Sequence, residues 1–287
     1  MYQKIMRKLI SHPRSAIEMC RKMVARYKKC CPRCGVLGTF EIHHTDQRGV
    51  RTYLCHSCRK TFSELHGTVF YRSKVPLHKW LHLIILWINS TGSISAAEGA
   101  RNIGISHVST WRMLMKIRKE FSGSISKNLL EGLTEADEAW FGKRDNQDIV
   151  MGIVQRSRNK VGRRLRLFTI PNVKEKTLYP LIRQNVKEKS RLFTDSRISY
   201  AATGIYYHHQ TTNHSKGEFA RDEVHSNTIE QIWGWIKGII RTIHHGISKK
   251  YRELYLAQFI FRYENEHISN LFNHSLCQLF HPTYCLI

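Results

Sequence analysis

Two sets of side chains in this sequence are spaced for chemistry. The first is cysteine. Cys31-Pro-Arg-Cys34 and Cys55-His-Ser-Cys58 are two Cys-x-x-Cys pairs with 20 residues between them. Each pair can grip one edge of a metal tetrahedron and two pairs close it, so the spacing predicts a four-thiolate structural zinc (Zn2+) site. Cys30, His43 and His44 are the alternative ligands. The second set is carboxylate. Asp137, Asp195 and Glu230 lie far apart in the chain. Hard divalent cations such as magnesium (Mg2+) take carboxylate oxygens, and phosphoryl transfer on DNA is commonly run by two such ions about 3.5–4 Å apart. A protein that does this must bring distant acids together.

The elements that would position these groups can be read from periodicity. Around the cysteines lie short strand-like runs, RTYL and TFSEL. Pro76 then opens a helical stretch that Thr91 and Gly92 end. Two further helical patterns flank Gly104, with Ser106 placed to cap the second, which fits a helix-turn-helix. Val108, Trp111, Leu114 and Met115 are expected in its core. Ser106, His107, Thr110 and Arg112, near the start of the second helix, are expected to contact DNA. An ordinary helical hairpin is the plainer alternative.

From residue 131 the pattern changes to strands. TEADEAWFG, DIVMGIVQRS and RRLRLFTI are three in succession, followed by a helix (KEKTLYPLIRQNV) and a fourth strand, RLFTD. Asp137 lies in the first strand and Asp195 ends the fourth. A short helical SRISYAAT, a strand YYHHQTT and a polar loop come next. A long helix begins near Asn227, and another, YRELYLAQFIFRYENEH, follows. The order makes a mixed α/β core. In the helix from Asn227, Ile229, Ile232, Trp233, Ile236 and Ile240 form an apolar stripe. Asn227, Glu230, Gly234, Lys237 and Arg241 form a second stripe beside it. A carboxylate followed along one face by Lys237 and Arg241 suits metal binding beside a DNA backbone. Asn227-x-x-Glu230 also has the form of a capping box, which needs no catalysis.

Charge narrows the partner. The chain of 287 residues carries 46 Lys and Arg against 22 Asp and Glu, a net +24. The excess is steeper in residues 1–130, with 23 basic and 6 acidic residues, than in the remainder, with 23 and 16. Such a field attracts a polyanion, so double-stranded DNA is the expected partner. No run reaches the ~18 consecutive apolar residues of a membrane span, and the N-terminus lacks a signal-peptide pattern. These features predict a soluble intracellular protein that acts without a membrane.

Several longer segments together resemble the zinc-ribbon insertion-sequence transposases of prokaryotes, a group related to eukaryotic Merlin elements. They are CPRCG, CHSCRKTFSELHGTVFYRSKVPLHKW, ADEAWFGK, FTDSRISY and HSNTIEQIWGWIKGIIRTIHHGISKKYRELYLAQFIFRYE. In the last, the order of His225, Asn227, Glu230, Trp233, Lys237 and His245 is similar to the family's third-acid helix and the loop after it. The resemblance implies an RNase H-like α/β catalytic domain over residues 130–270. A basic helical arm (1–29), a zinc ribbon (30–75) and a helix-turn-helix segment (76–125) precede it, and a C-terminal tail (271–287) follows.

It also implies magnesium dependence, with two ions and manganese (Mn2+) able to substitute. It assigns Asp137 and Asp195 as the first two acids, and Glu230 as the third with Asn227 as runner-up. Lys237 matches the basic residue that follows the third acid. The implied reaction is cut-and-paste movement of DNA bounded by terminal inverted repeats, in a homodimer or larger synaptic complex. The implied setting is cytoplasmic and nucleoid-associated, in a prokaryotic host. Two segments depart from the family pattern: RDNQD after FGK, and Glu264 after Tyr263. The rival expectations are a zinc-dependent DNA-binding regulator carrying an inactive nuclease fold, and a general nuclease of RNase H type.

Overall fold

Side chains alternate along the strands of the rear half, and the two faces they create have different uses. The structure, a computed structural model, describes residues 12, 15–24, 30–38, 40–142, 147–157, 161–195, 198–212, 227–268 and 271–279. The chain forms two compact units, Met1–Glu120 with Ser269–Ile287, and Phe121–Ile268.

The first unit begins with helix α1 (Ser15–Val24) and a three-stranded antiparallel sheet, β1 (Phe40–Thr45), β2 (Arg51–Cys55) and β3 (Thr61–Ser63), in the order β1-β2-β3. Phe40, Tyr53 and Phe62 pack against the cysteines to make a very small core. Helix α1 is fastened to this sheet. Arg21 gives a two-pronged ion pair to Glu64, at 2.9 and 3.0 Å, and Glu64 also accepts the Arg51 amide at 2.6 Å. The described part of the expected arm is therefore a packed helix, with Ala16, Ile17 and Cys20 buried.

Helices α2 (Leu77–Asn89), α3 (Ala96–Ile103) and α4 (His107–Gly123) follow. Ser95 caps α3 by accepting the Glu98 amide, and Gly104 ends it at a φ of 62°, a left-handed conformation that glycine adopts without strain. Ser106 accepts the Ser109 amide at 3.2 Å and so caps α4. Gly99 lets the helices approach closely, since a Cβ there would lie 2.9 Å from both Leu83 and Thr110. The final helix, α8 (Leu271–Leu279), was expected to be part of a tail. It packs instead within this unit, on α1 and α2, and buries Phe272, Leu276 and Leu279.

The second unit is built on a five-stranded sheet of β4 (Leu133–Phe141), β5 (Asp148–Gln155), β6 (Arg164–Ile170), β7 (Arg191–Asp195) and β8 (His208–Thr212). The order is β6-β5-β4-β7-β8, with the first three antiparallel and β4, β7 and β8 parallel. This mixed sheet with helices on its faces is the RNase H-like arrangement. One face carries Ala136, Met151, Ile153 and Leu192 into an apolar core. Helix α5 (Glu175–Asn185) contributes Leu178 and Ile182 to it, and the 3-10 segment Ile198–Ile205 contributes Tyr200.

Helix α6 (Asn227–Ile239) packs over β4 and β5, and helix α7 (Arg252–Asn265) packs on β6. Glu264, one of the two departures from the family pattern, secures this second contact. Its carboxylate accepts the Leu165 amide and an Arg166 N–H, each at 3.0 Å. The buried stripe of α6 is Ile229, Ile232, Trp233, Ile236 and Ile239. Ile240, expected to end that stripe, instead opens a π-helical turn, Ile240–His244, which changes the side-chain register.

Helix α6 can lie this close because β5 has a glycine beneath it. Gly152 pairs with Asp137, and a Cβ there would lie 2.6 Å from the Trp233 ring and 2.8 Å from Ile229. A rigid indole cannot yield as a flexible chain end can. Gly152→Ala is therefore expected to destabilise the protein by about 1–3 kcal/mol, the usual cost of overpacking, as measured by urea denaturation. Wild-type stability in that variant would show that the helix seat is looser than this.

Candidate functional site

Strand register decides which acids meet. Strands β4 and β7 run parallel, with Leu133 opposite Arg191, Thr134 opposite Leu192 and Glu135 opposite Phe193. Two residues further along each strand stand Asp137 and Asp195, on the sheet face that α6 covers. Glu230 is in the first turn of α6. Burial is the main cause that pushes the Asp137 carboxyl up to about 6, and the negative charges of Asp195 and Glu230 push it the same way. The three sequence-predicted acids thus face one another electrostatically.

Two donors hold the Asp137 side chain against this pressure, the Glu138 amide and the Trp233 indole N–H, the latter at 3.0 Å from Oδ2. Three carboxylates of this kind fit a hard divalent cation, which would relieve their mutual repulsion. They are not drawn together as tightly as the cysteines described below.

Sequence reasoning missed the groups that set this geometry. Glu135, two residues before Asp137, is fully buried. It accepts the Ile229 amide at 2.9 Å, which satisfies a donor in the first turn of α6, and it also pairs with Arg156. The Arg156 guanidinium lies over the Phe193 ring, 4.8 Å from its centre. Glu138 points to the opposite face and is hydrogen-bonded by the buried hydroxyl of Tyr200. No local motif signals these links, because their partners are up to 94 residues apart.

Lys237 and Arg241 lie beyond Glu230, in a cleft of about 560 Å3 that also includes Trp140, Phe141, His245 and Arg252. The Lys237 ammonium is 5.8 Å from the centre of the Phe141 ring. Asn227 is the first residue of α6 and is exposed. His225 lies outside the described residues, as do Glu218, Asp222 and Glu223, the loop acids that would be next candidates for a third ligand.

The four paired cysteines converge. Cys31, Cys34, Cys55 and Cys58 place their sulfurs within 4.8 Å of one another, the only such group of potential metal ligands among the described residues. The Cys31–Cys58 and Cys34–Cys55 sulfurs are 3.7 Å apart. A tetrahedron with metal–sulfur bonds of about 2.3 Å has edges of about 3.8 Å, so the cluster fits a zinc ion. The amides of Cys58 and Ser57 point at Cys55 and pull its thiol down to about 7, while burial and the neighbouring thiols push that of Cys34 up, so the four titrate as one group. Cys30 is buried outside the cluster, while His43 and His44 are exposed on β1.

At the start of α4, Ser106, His107 and Arg112 are exposed, as the DNA-contact expectation requires. Thr110 is not. It is fully buried against Gly99, and its hydroxyl donates to the Ser106 carbonyl at 3.1 Å. Its role is to pack α3 on α4. Val108, expected in the core, is 52% exposed and shares the open face.

Comparison with known proteins places these features in a family. Residues 129–264 match the model of the ISXO2-like transposase domain. The chain is 34% identical over 102 residues to an uncharacterized transposase-like protein of Haemophilus influenzae, covering 35% of this chain and 81% of that one. It is 24% identical over 256 residues to an uncharacterized protein in transposable element ISH50 of Halobacterium salinarum, covering 82% and 85%. Among solved structures, the catalytic core domain of BIV integrase is 13% identical and spans 45% of this chain and 81% of that one, with a TM-score of 0.31.

The raised pKa of Asp137 has a consequence for stability. A carboxyl whose folded-state pKa exceeds its unfolded value favours folding while it is protonated. That contribution is present below pH ~4 and is lost as pH rises through about 6. Asp137→Asn, which keeps an oxygen for Trp233, is therefore expected to be more stable than wild type by roughly 1–3 kcal/mol at pH 7–8 in chelator. The gain should vanish near pH 4. Denaturation curves at the two pH values check it, and equal stabilities at pH 8 would contradict the crowding of charge at this site.

Proposed function

The chain belongs to a family of insertion-sequence transposases, and from that membership and the match of residues 129–264 to the ISXO2-like transposase domain we propose that Asp137, Asp195 and Glu230 are its catalytic acids. One observation carries this reading. The β4–β7 register sets the two aspartates side by side, and α6 lays Glu230 across the same sheet face.

The three carboxylates would hold two magnesium ions, which supply Lewis-acid activation of the attacking oxygen and stabilise the leaving one; manganese can replace them. Cleavage joins a water oxygen to phosphorus and expels the 3′ oxygen of the element's end, leaving a 3′-hydroxyl. In strand transfer that hydroxyl attacks a phosphorus of the target DNA and displaces its 3′ oxygen. Lys237 and Arg241, in the basic cleft, hold the DNA phosphates around these steps. The four-cysteine site holds a structural zinc ion and so folds the small ribbon. The ribbon and the exposed start of α4, with Ser106, His107 and Arg112, bind the terminal inverted repeats. Because two element ends must be joined, a homodimer or larger synaptic complex is the working form. Among the described residues no helix is long and apolar enough to cross a membrane.

Strand cleavage of terminal-repeat DNA tests the acids. Asp137→Ala and Asp195→Ala are each expected to lower the rate by at least about a hundredfold while DNA binding persists. Glu230→Ala should match them and Asn227→Ala should retain most activity. The reverse pattern would move the third position to Asn227. Binding without any metal-dependent cleavage by the wild type would favour a regulator with an inactive nuclease fold. Cleavage indifferent to terminal repeats would favour a general nuclease.

Zinc is expected at one ion per chain, by elemental analysis of purified protein. Cys55→Ser combined with Cys58→Ser should release it and unfold the ribbon, because so small a core lacks the apolar burial to fold alone. Zinc retained in that double variant would place it elsewhere.

A further inference from the structure

We propose that Trp233 is a positioning residue for catalysis, its indole N–H fixing the Asp137 carboxylate in the orientation that receives metal. The proposal rests on the reading of Asp137 as a catalytic acid and assigns the group that aims it.

The geometry is specific. Trp233 is 5% exposed, and its ring lies against Gly152, the strand neighbour of Asp137. Phe141 meets the same indole edge-on, with ring centres 5.9 Å apart. The indole therefore cannot turn without displacing a strand or a ring. Its one donor points at Oδ2 of Asp137, at 3.0 Å. An indole N–H donates and never accepts, so this bond and that of the Glu138 amide each occupy one lone pair of the carboxylate and leave the others for metal.

Glu135 completes the arrangement. It ties the start of α6 to the same strand, so helix and strand are joined at two residues of β4 that share a face. Groups that hydrogen-bond a metal ligand from behind commonly alter metal affinity or activity by about 10–100-fold when removed.

The test uses the full-length protein with two variants. Trp233→Phe keeps an aromatic ring and loses the donor. Replacing Trp233 by 3-benzothienylalanine keeps the bicyclic shape and exchanges N–H for sulfur, which guards against a smaller side chain that fails to pack. Mn2+ binding without DNA is followed by electron paramagnetic resonance, and strand cleavage is followed over a range of DNA concentrations up to saturation.

The expected result is folded protein with Mn2+ affinity weaker by about tenfold and a cleavage kcat lower by about 10–100-fold, with KM for DNA unchanged. Wild-type Mn2+ affinity and kcat in the benzothienylalanine variant would overturn the proposal, as would lost stability with no change in either quantity. Asp137→Ala separates the two levels of inference. If it is inactive while the benzothienylalanine variant behaves as wild type, only the role of Trp233 falls. If Asp137→Ala itself cleaves normally, the catalytic assignment and this proposal fall together.

Discussion

Like charges brought onto neighbouring strands are the constraint around which the rear unit is organised. Asp137 and Asp195 stand side by side because β4 and β7 pair in parallel, and Glu230 adds a third negative charge from above the sheet. Coulomb repulsion and lost hydration both oppose this, so the surrounding structure has to enforce it. The enforcement is visible in β4 itself. Glu135 anchors the start of α6, Asp137 is gripped by Trp233, and Glu138 is held from the other face by Tyr200. Three acids in four residues have three different partners, and Asp137 has other acids raising its pKa.

The sheet alternation makes that division possible. Residues two apart on β4 share a face, so Glu135 and Asp137 meet α6 while Ala136 and Glu138 meet the apolar layer below. A shift of one residue in the β4–β7 register would turn Asp195 away from Asp137. The site therefore depends on the apolar packing of Met151, Ile153, Leu192, Leu178 and Ile182, which fixes the register from the opposite face of the sheet.

Much of this was legible in the sequence, and the remainder was hidden for physical reasons. The strands carrying Asp137 and Asp195 and the helix carrying Glu230 could be read from period-2 and period-3.6 patterns, which are local. The two cysteine pairs could be read because metal geometry imposes a spacing. The roles of Glu135, Arg156 and Gly152 could not, since each depends on a partner brought close only by folding. Thr110 misled for a related reason. Its position near a helix N-terminus suggests exposure, but Gly99 opens a gap that its side chain fills. The end of the α6 stripe shifted from Ile240 to Ile239 because a π-helical turn interrupts the 3.6-residue period, which apolar patterning alone does not announce.

The connectivity of the two units bears on how such a chain can be divided. The rear unit is an insertion, since the chain leaves the front unit after Glu120 and returns to it at Ser269. An inserted unit folds with least disturbance when its first and last elements lie together. Phe121 and Phe261 do this, with rings stacked 3.9 Å apart at an interplanar angle of 11°. The front unit depends on the returning segment, because α8 buries Phe272, Leu276 and Leu279 within it. A fragment cut after α4 would therefore lack the apolar residues that α8 packs on α1 and α2. The sequence order suggests a DNA-binding front followed by an independent catalytic rear. The packing gives a front unit closed by residues from beyond the catalytic unit.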